Sequence, residues 1–271
     1  MNTATAPDRD LVTRTDGDGV ATLTLNAPKS INALSEAMMG ALSRTLDEIA
    51  EDTSVRAVIL RGSGEHFCAG HNLREMTERR SDPDGGHAYF RDLFATCSAM
   101  MLRVVRLPQP VIAEVSGIAT AAGCQLVASC DLAVASEDAR FATSGVNIGL
   151  FCSTPMVALS RNVPRKQAME MLLLGEFLPA ARVAEMGLVN RVVPRDALET
   201  ASAEMAGAIA AKSPVAIRAG KRAFYEQAEM SLEEAYAHTG RVMADNMMAR
   251  DTEAGIGAFT RKEPMPEWSG T

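Results

Sequence analysis

Residues 110–135 read PVIAEVSGIATAAGCQLVASCDLAVA. Pro108 and Pro110 introduce a short apolar run, Val111 to Val115, and Gly117 closes it; a run bounded in this way reads as a buried strand. Ala121-Ala122-Gly123 follows the strand and begins a helix, Cys124 to Cys130. A helix starting there aims its unpaired backbone N–H groups and its positive end at one point, and the small residues leave that point uncovered. Strand, small-residue turn and helix together predict an α/β core.

Working outward, Val20 to Leu25 alternates like a strand, and Ser35 caps a segment in which Met38, Met39, Leu42, Leu46 and Ile49 recur at helical spacing. Arg56 to Arg61 is a second apolar run, ended by Gly62-Ser63-Gly64. Between the two runs, Tyr89, Phe90, Leu93, Phe94, Cys97, Met100, Met101 and Val104 repeat every three or four residues, as in a long helix packed on a sheet. Arg79 to Gly86 reads as a mobile surface loop. After Pro194 the strands stop: Asp196 to Ala211, Pro214 to Met230 and Ser231 to Met248 read as successive helices. The expected organisation is a core over residues 1–195 and a helical region over 196–271.

The chain has 271 residues, 47% of them apolar, enough for a sizeable core. A net charge of −7 with no basic block argues against a nucleic-acid partner. No stretch reaches the roughly 18 consecutive apolar residues of a membrane span, so no membrane partner is expected. Met1 to Asp10 reads as neither a secretory signal nor a transit peptide, which makes a cytoplasmic location the expectation. Five cysteines, Cys68, Cys97, Cys124, Cys130 and Cys152, are odd in number and lie mostly in apolar stretches, favouring reduced, buried thiols. His66 and His71 lack neighbours at metal-ligand spacing, so no metal site is expected. Gly62-Ser63-Gly64 has Phe67 where a dinucleotide fingerprint ends in glycine, and neither a nucleophile elbow nor a phosphate loop occurs.

Three ordered segments resemble the crotonase (enoyl-CoA hydratase/isomerase) superfamily: Asn26 to Ser35 (NAPKSINALS), Gly62 to Met76 (GSGEHFCAGHNLREM) and Pro110 to Ala135. Within it, the chain is most similar to a subgroup of hydratase domain-containing members. The resemblance implies a core of ββα turns wound as a superhelix, with a C-terminal helical region that builds a homotrimer or a hexamer. It implies an acyl-CoA thioester as partner, in fatty acid metabolism, with coenzyme A as part of the substrate and no prosthetic group. It also implies an oxyanion hole made by the backbone amides of His71, which follows Cys68-Ala69-Gly70, and of Ala122. Lys29, Ile31, Ala33, Ala69 and Leu73 fall in segments that line the nucleotide, while Phe259 and Lys262 resemble the element reaching a neighbouring subunit's ligand.

The chain departs from the pattern where hydratases carry two catalytic carboxylates. Those positions hold Gln125 and Gly145, with Ser144 one residue from the second, and neither an amide nor glycine exchanges protons near neutral pH. Weak or altered hydration is therefore expected, with carboxylates returned at 125 and 145 raising it. The alternatives are an enoyl-CoA isomerase, a thioester hydrolase using Cys152 or Ser153, and a non-catalytic acyl-CoA-binding protein. The acids nearest these motifs, Glu75 and Glu114, are assigned no catalytic part.

Overall fold

The computed structural model describes residues 11–271. The described residues open on a hairpin, β1 (Val12–Gly17) and β2 (Val20–Leu25), paired antiparallel around Asp18 and Gly19. Both turn residues have positive φ, the conformation that a two-residue Asp-Gly hairpin supplies. Next come α1 (Glu36–Glu51), β3 (Ala57–Gly62), α2 (Leu73–Glu78), α3 (His87–Arg106) and β4 (Val111–Val115). Then follow β5 (Ile118–Thr120), α4 (Ala122–Ser129), β6 (Leu132–Ser136), β7 (Arg140–Ala142), α5 (Pro155–Asn162) and α6 (Arg165–Leu174). β8 (Leu178–Pro179), α7 (Ala180–Glu185), β9 (Arg191–Val193), α8 (Leu198–Ala210), α9 (Pro214–Gln227), α10 (Leu232–Met247) and α11 (Arg250–Arg261) complete the described residues.

Two sheets form. The larger has the order β1-β2-β3-β4-β6-β9 and is parallel from β2 onward; the smaller has the order β5-β7-β8. Parallel strands are buried on both faces, and alternate residues serve different layers. On β3, Val58 and Leu60 join the main core with α1 and α3, while Ala57 and Ile59 face Leu198, Met205 and Ala206 of α8. On β4 the same parity sends Val111, Ala113 and Val115 inward and Ile112 toward α8. The helical tail thus begins as a cover on the outer face of the sheet.

Ser35 caps α1 as its pattern requires, accepting from the Met38 amide at 3.1 Å. The segment after α2 is shaped by a 3-10 turn, Arg79–Ser81, and by Asp84, whose carboxylate accepts from the amides of Gly86 and Ala88 at the start of α3. All five cysteines are free and buried. α4 starts at Ala122, two residues before the expected Cys124, because Ala121 takes φ 50 and ψ −118 as its N-cap. No helix among the described residues is long and apolar enough to cross a membrane.

Candidate functional site

The segment Phe67 to His71 is stitched between two others. Phe67 and Cys68 donate to Ile118 O, and Thr120 donates back to Cys68 O, which fastens one side to β5. Ala69 donates to Ile31 O, and Leu34 donates to Gly70 O, which fastens the other side to the stretch before α1. Asn32, fully buried, braces that stretch: its Nδ2 donates to Ser63 O, His66 O and Phe67 O, and its Oδ1 accepts from the Ala27 amide.

Glycine makes the next approach possible. Gly70 has φ 86, and a Cβ on it would lie 3.0 Å from both the Ala122 amide nitrogen and the Ala121 Cβ. A Cβ on Gly123 would collide with the Cys68 carbonyl oxygen. The chain therefore brings His71 beside the first turn of α4. Ala122 sits where a helix amide has no partner within the helix, and neither its amide nor that of His71 meets an acceptor among the described residues.

The two residues open on a cavity of about 380 Å³. Its walls are mostly apolar, formed by Ala69, Leu73 and Met76, by Phe94 from α3, and by Ile148 with the run Leu150 to Pro155. No carboxylate lines it. The His71 ring meets Phe94 edge to face, with centroids 5.5 Å apart. Burial holds the His71 imidazole below its usual value; the Leu34 backbone pulls the other way without closing a hydrogen bond. Cys152 also lines the cavity, its thiol pushed up by burial while the Gly145 amide lowers it. A thiol so shifted is protonated at neutral pH and a poor nucleophile. Ser153 is exposed and donates to Phe151 O, with no base at its hydroxyl, and Thr154 takes the N-cap position of α5.

Ala69, His71, Leu73, Ala122 and Gly145 are brought together at this cavity. Gln125 is only 4% exposed and lies behind the lining, its Oε1 without a partner. Gly145 has no positive φ, so its backbone suits any residue, but a Cβ there would collide with the Leu150 carbonyl and reach Cys152 Sγ at 2.9 Å. What stands against a carboxylate at 145 is therefore occupied space and not backbone shape. Ile31 lines a separate recess with Pro28, Gly64, Glu65 and His66, and Lys29 is exposed beside it. Ala33 is half-buried next to the Leu34–His71 bridge. Phe259, 75% exposed, and Lys262, the left-handed C-cap of α11, do not line the cavity within one chain.

The two acids near the motifs point elsewhere. Glu114, on the α8 side of β4, bonds Ser202 and lies 3.7 Å from Arg61. Glu75 accepts from Asn72 Nδ2 and the Glu36 amide, joining α2 to α1. Among the described residues no group of three or more His, Cys, Asp and Glu could hold a metal ion.

Residues 15–271 match the enoyl-CoA hydratase/isomerase family. The chain belongs to that family. It is 44% identical over 252 residues to the human mitochondrial enoyl-CoA hydratase domain-containing protein 3, covering 93% of this chain and 81% of that relative. The crystal structure of the human protein superposes with a TM-score of 0.90 at 42% identity, over 94% of this chain and 99% of that one. An enoyl-CoA hydratase crystal structure from Mycobacterium smegmatis gives a TM-score of 0.91 at 55% identity, over 95% and 98% of the two chains. The crotonase fold expected from the three motifs is the fold of this chain.

One expectation is overturned by the same comparison. The human relative and its Xenopus laevis, Rattus norvegicus and Mus musculus counterparts are mitochondrial proteins by name, against the cytoplasmic location read from the first residues. Composition and charge carry no address of their own, and Met1 to Asp10, on which that reading stood, lies outside the described residues.

Ala121 gives the site a testable strain. Its φ of 50 and ψ of −118 lie where residues with a Cβ are rare, at a cost of about 1–3 kcal/mol. Glycine removes the strain but frees the unfolded chain by about 0.5–1 kcal/mol. Ala121→Gly is therefore expected to raise stability by roughly 1 kcal/mol in urea unfolding. A loss instead would mean that the methyl packed against Gly70 outweighs the strain.

Proposed function

We propose that this member of the family binds an acyl-CoA thioester in the apolar cavity. The amides of His71 and Ala122 then stabilise the negative charge that develops on the thioester oxygen in an enolate-like state. The supporting observation is the meeting of two unpartnered amides, made possible by Gly70 and Gly123, at the edge of an apolar cavity that no carboxylate lines. Preorganised donors of this kind act on charge as it forms and are worth most where water is excluded. Hydration of an enoyl double bond is slow in this reading, because Gln125 and Gly145 stand at the carboxylate positions. Hydrolysis through Cys152 or Ser153 is disfavoured by a protonated thiol and an unassisted hydroxyl.

The reading extends to the assembly. α10, its C-cap Met248 and α11 leave Leu232, Tyr236, Met243, Met248 and Phe259 more than two-thirds exposed, an apolar surface of the kind that marks protein contacts. We assign it to a homotrimer or a hexamer in which Phe259 and Lys262 approach a neighbour's coenzyme beside Lys29 and Ile31. Sedimentation velocity with butanoyl-CoA, followed at the adenine absorbance, tests both parts. The ligand is expected to travel with a species of three or six chains. Absence of co-sedimentation would sink the ligand reading, and co-sedimentation with a monomer would sink the shared site.

A further inference from the structure

α11 has little apolar surface with which to hold its place. Of its residues only Asp251 and Ala258 are buried, while Ile256 and Phe259 are 47% and 75% exposed. Most helices are fixed by packing an apolar face, and here a buried carboxylate takes over that task. Asp251 Oδ1 accepts from the amide and the hydroxyl of Ser269 at 2.7 and 2.8 Å, and Oδ2 accepts from the Ser213 hydroxyl at 2.7 Å and the Gly270 amide at 3.1 Å. The Asp251 amide donates to Thr271 O in return. Ser213 is the N-cap of α9, so one side chain ties the first turn of α11 both to the start of α9 and to the segment that follows α11. Hydrogen bonds to an ionised carboxylate are the stronger kind, and a negative charge in the first turn suits the helix dipole.

That segment is seated by a second contact. Trp268 Nε1 donates at 2.9 Å to the carbonyl of Ala211, the C-cap of α8. The indole lies against α11 where residue 255 is glycine, and a Cβ there would stand 3.1 Å from ring atoms Cζ3 and Cη2. Glycine inside a helix is unfavourable, and at 255 it makes room for the ring.

From this arrangement we propose that Asp251 is a positioning residue for the coenzyme half of the site: it closes residues 268–270 over the first turn of α11 as a clasp, and the clasp fixes the helix that carries Phe259 and Lys262. The inference rests on the proposed shared site and adds what sets its geometry. Phe259 follows Asp251 by eight residues, about 12 Å along the axis of α11, so the clasp acts on it through the helix and not by contact. The cavity at His71 and Ala122 is lined by no residue beyond Pro155, so the thioester half is built without the clasp. Opening the clasp leaves α11 to be ordered when ligand binds, and that loss falls on the nucleotide alone.

Two ligands separate the halves: butanoyl-CoA, and butanoyl-pantetheine, which carries the same thioester without the nucleotide. Calorimetry gives the affinity for each, and Trp268, the single tryptophan of the chain, reports the clasp by its emission. Asp251→Asn keeps the size of the side chain, removes its charge and replaces one acceptor by a donor. It is expected to shift the emission to the red and to weaken butanoyl-CoA binding on the order of tenfold, with butanoyl-pantetheine bound as before. Equal weakening of both ligands gives Asp251 a structural part only and overturns the proposal. An unshifted emission overturns it too, as does a red-shifted emission with butanoyl-CoA bound as before. In the unmodified protein, failure to bind either ligand removes the thioester reading, and equal affinity for the two removes the shared coenzyme site; each takes this inference with it. Should Asp251→Asn not fold, Trp268→Ala, which removes the seated indole at a position outside every helix, decides with the same ligands. A loss confined to butanoyl-CoA supports the clasp, and an equal loss or none overturns it.

Discussion

Crotonyl-CoA is expected to bind this protein yet to be hydrated far more slowly than by an ordinary hydratase, by about 10²–10⁴-fold for each acid–base group that is missing. Water added across a double bond needs a group that takes its proton and one that delivers a proton to carbon. Gln125 does neither, being an amide buried behind the cavity wall, and Gly145 has no side chain. Returning the carboxylates is not expected to restore the rate. Gln125→Glu sets a carboxylic acid in a buried site whose Oε1 has no partner, which favours its neutral form. Gly145→Glu must displace the Leu150 carbonyl and the Cys152 side chain, so the wall from Ile148 to Cys152 has to move. Loss of the enoyl absorbance should therefore be slow for the unmodified protein and for the Gln125→Glu and Gln125→Glu/Gly145→Glu variants alike, with the double variant less stable. An ordinary hydratase rate in the unmodified protein, untouched by Gln125→Ala, would show that other groups carry the chemistry.

How far the sequence announced all this depended on how local each cause was. The β4–α4 unit was legible because prolines, an apolar run and small residues punctuate it within 25 residues, and α3 because its stripe is long. β1 was missed: it is an edge strand of which Val12 alone is buried, so its inward face is nearly silent, although Asp18-Gly19 carried a hairpin signal. β5, β7 and β8 have three, three and two residues, too few for a period to show. Glu114 is an instructive case, since its neighbours Ala113 and Val115 face the main core and parity alone sends it to the α8 side. Burial around Gly145 comes from Leu150 and Cys152 through a loop with no regular pattern, and the His71 ring acquires its setting from Phe94, which lies 23 residues on. Contacts of that kind are tertiary, and no local pattern encodes them.

The other large effect is expected away from the cavity, at Lys221. Its ammonium donates to Asp131 Oδ2 at 2.7 Å, Gln109 O at 3.0 Å and Val104 O at 3.4 Å, and Asp131 also accepts from the Tyr225 hydroxyl and the Val111 amide. The pair is well shielded, the side chains being 7% and 15% exposed, and burial holds Lys221 below its usual value while Asp131 opposes that shift. One lysine thereby joins α9 to the end of α3, the approach to β4 and the residue that precedes β6. Lys221→Met leaves the Asp131 carboxylate shielded without its cation and two backbone carbonyls without their donor. Breaking a buried pair from one side costs about 3–5 kcal/mol, so the urea midpoint should fall steeply with little change in slope. Lys221→Met/Asp131→Asn should recover part of the loss, because the second change removes the uncompensated charge. A loss under about 1 kcal/mol in the single variant would place the pair with solvated surface bridges, which contribute little. A drop of the expected size, with butanoyl-CoA still bound by the fraction that remains folded, would mean that α9 acts as a clamp on the start of β4. That strand leads through β5 to the Ala122 amide, so the clamp secures the frame of the thioester site without touching its ligand.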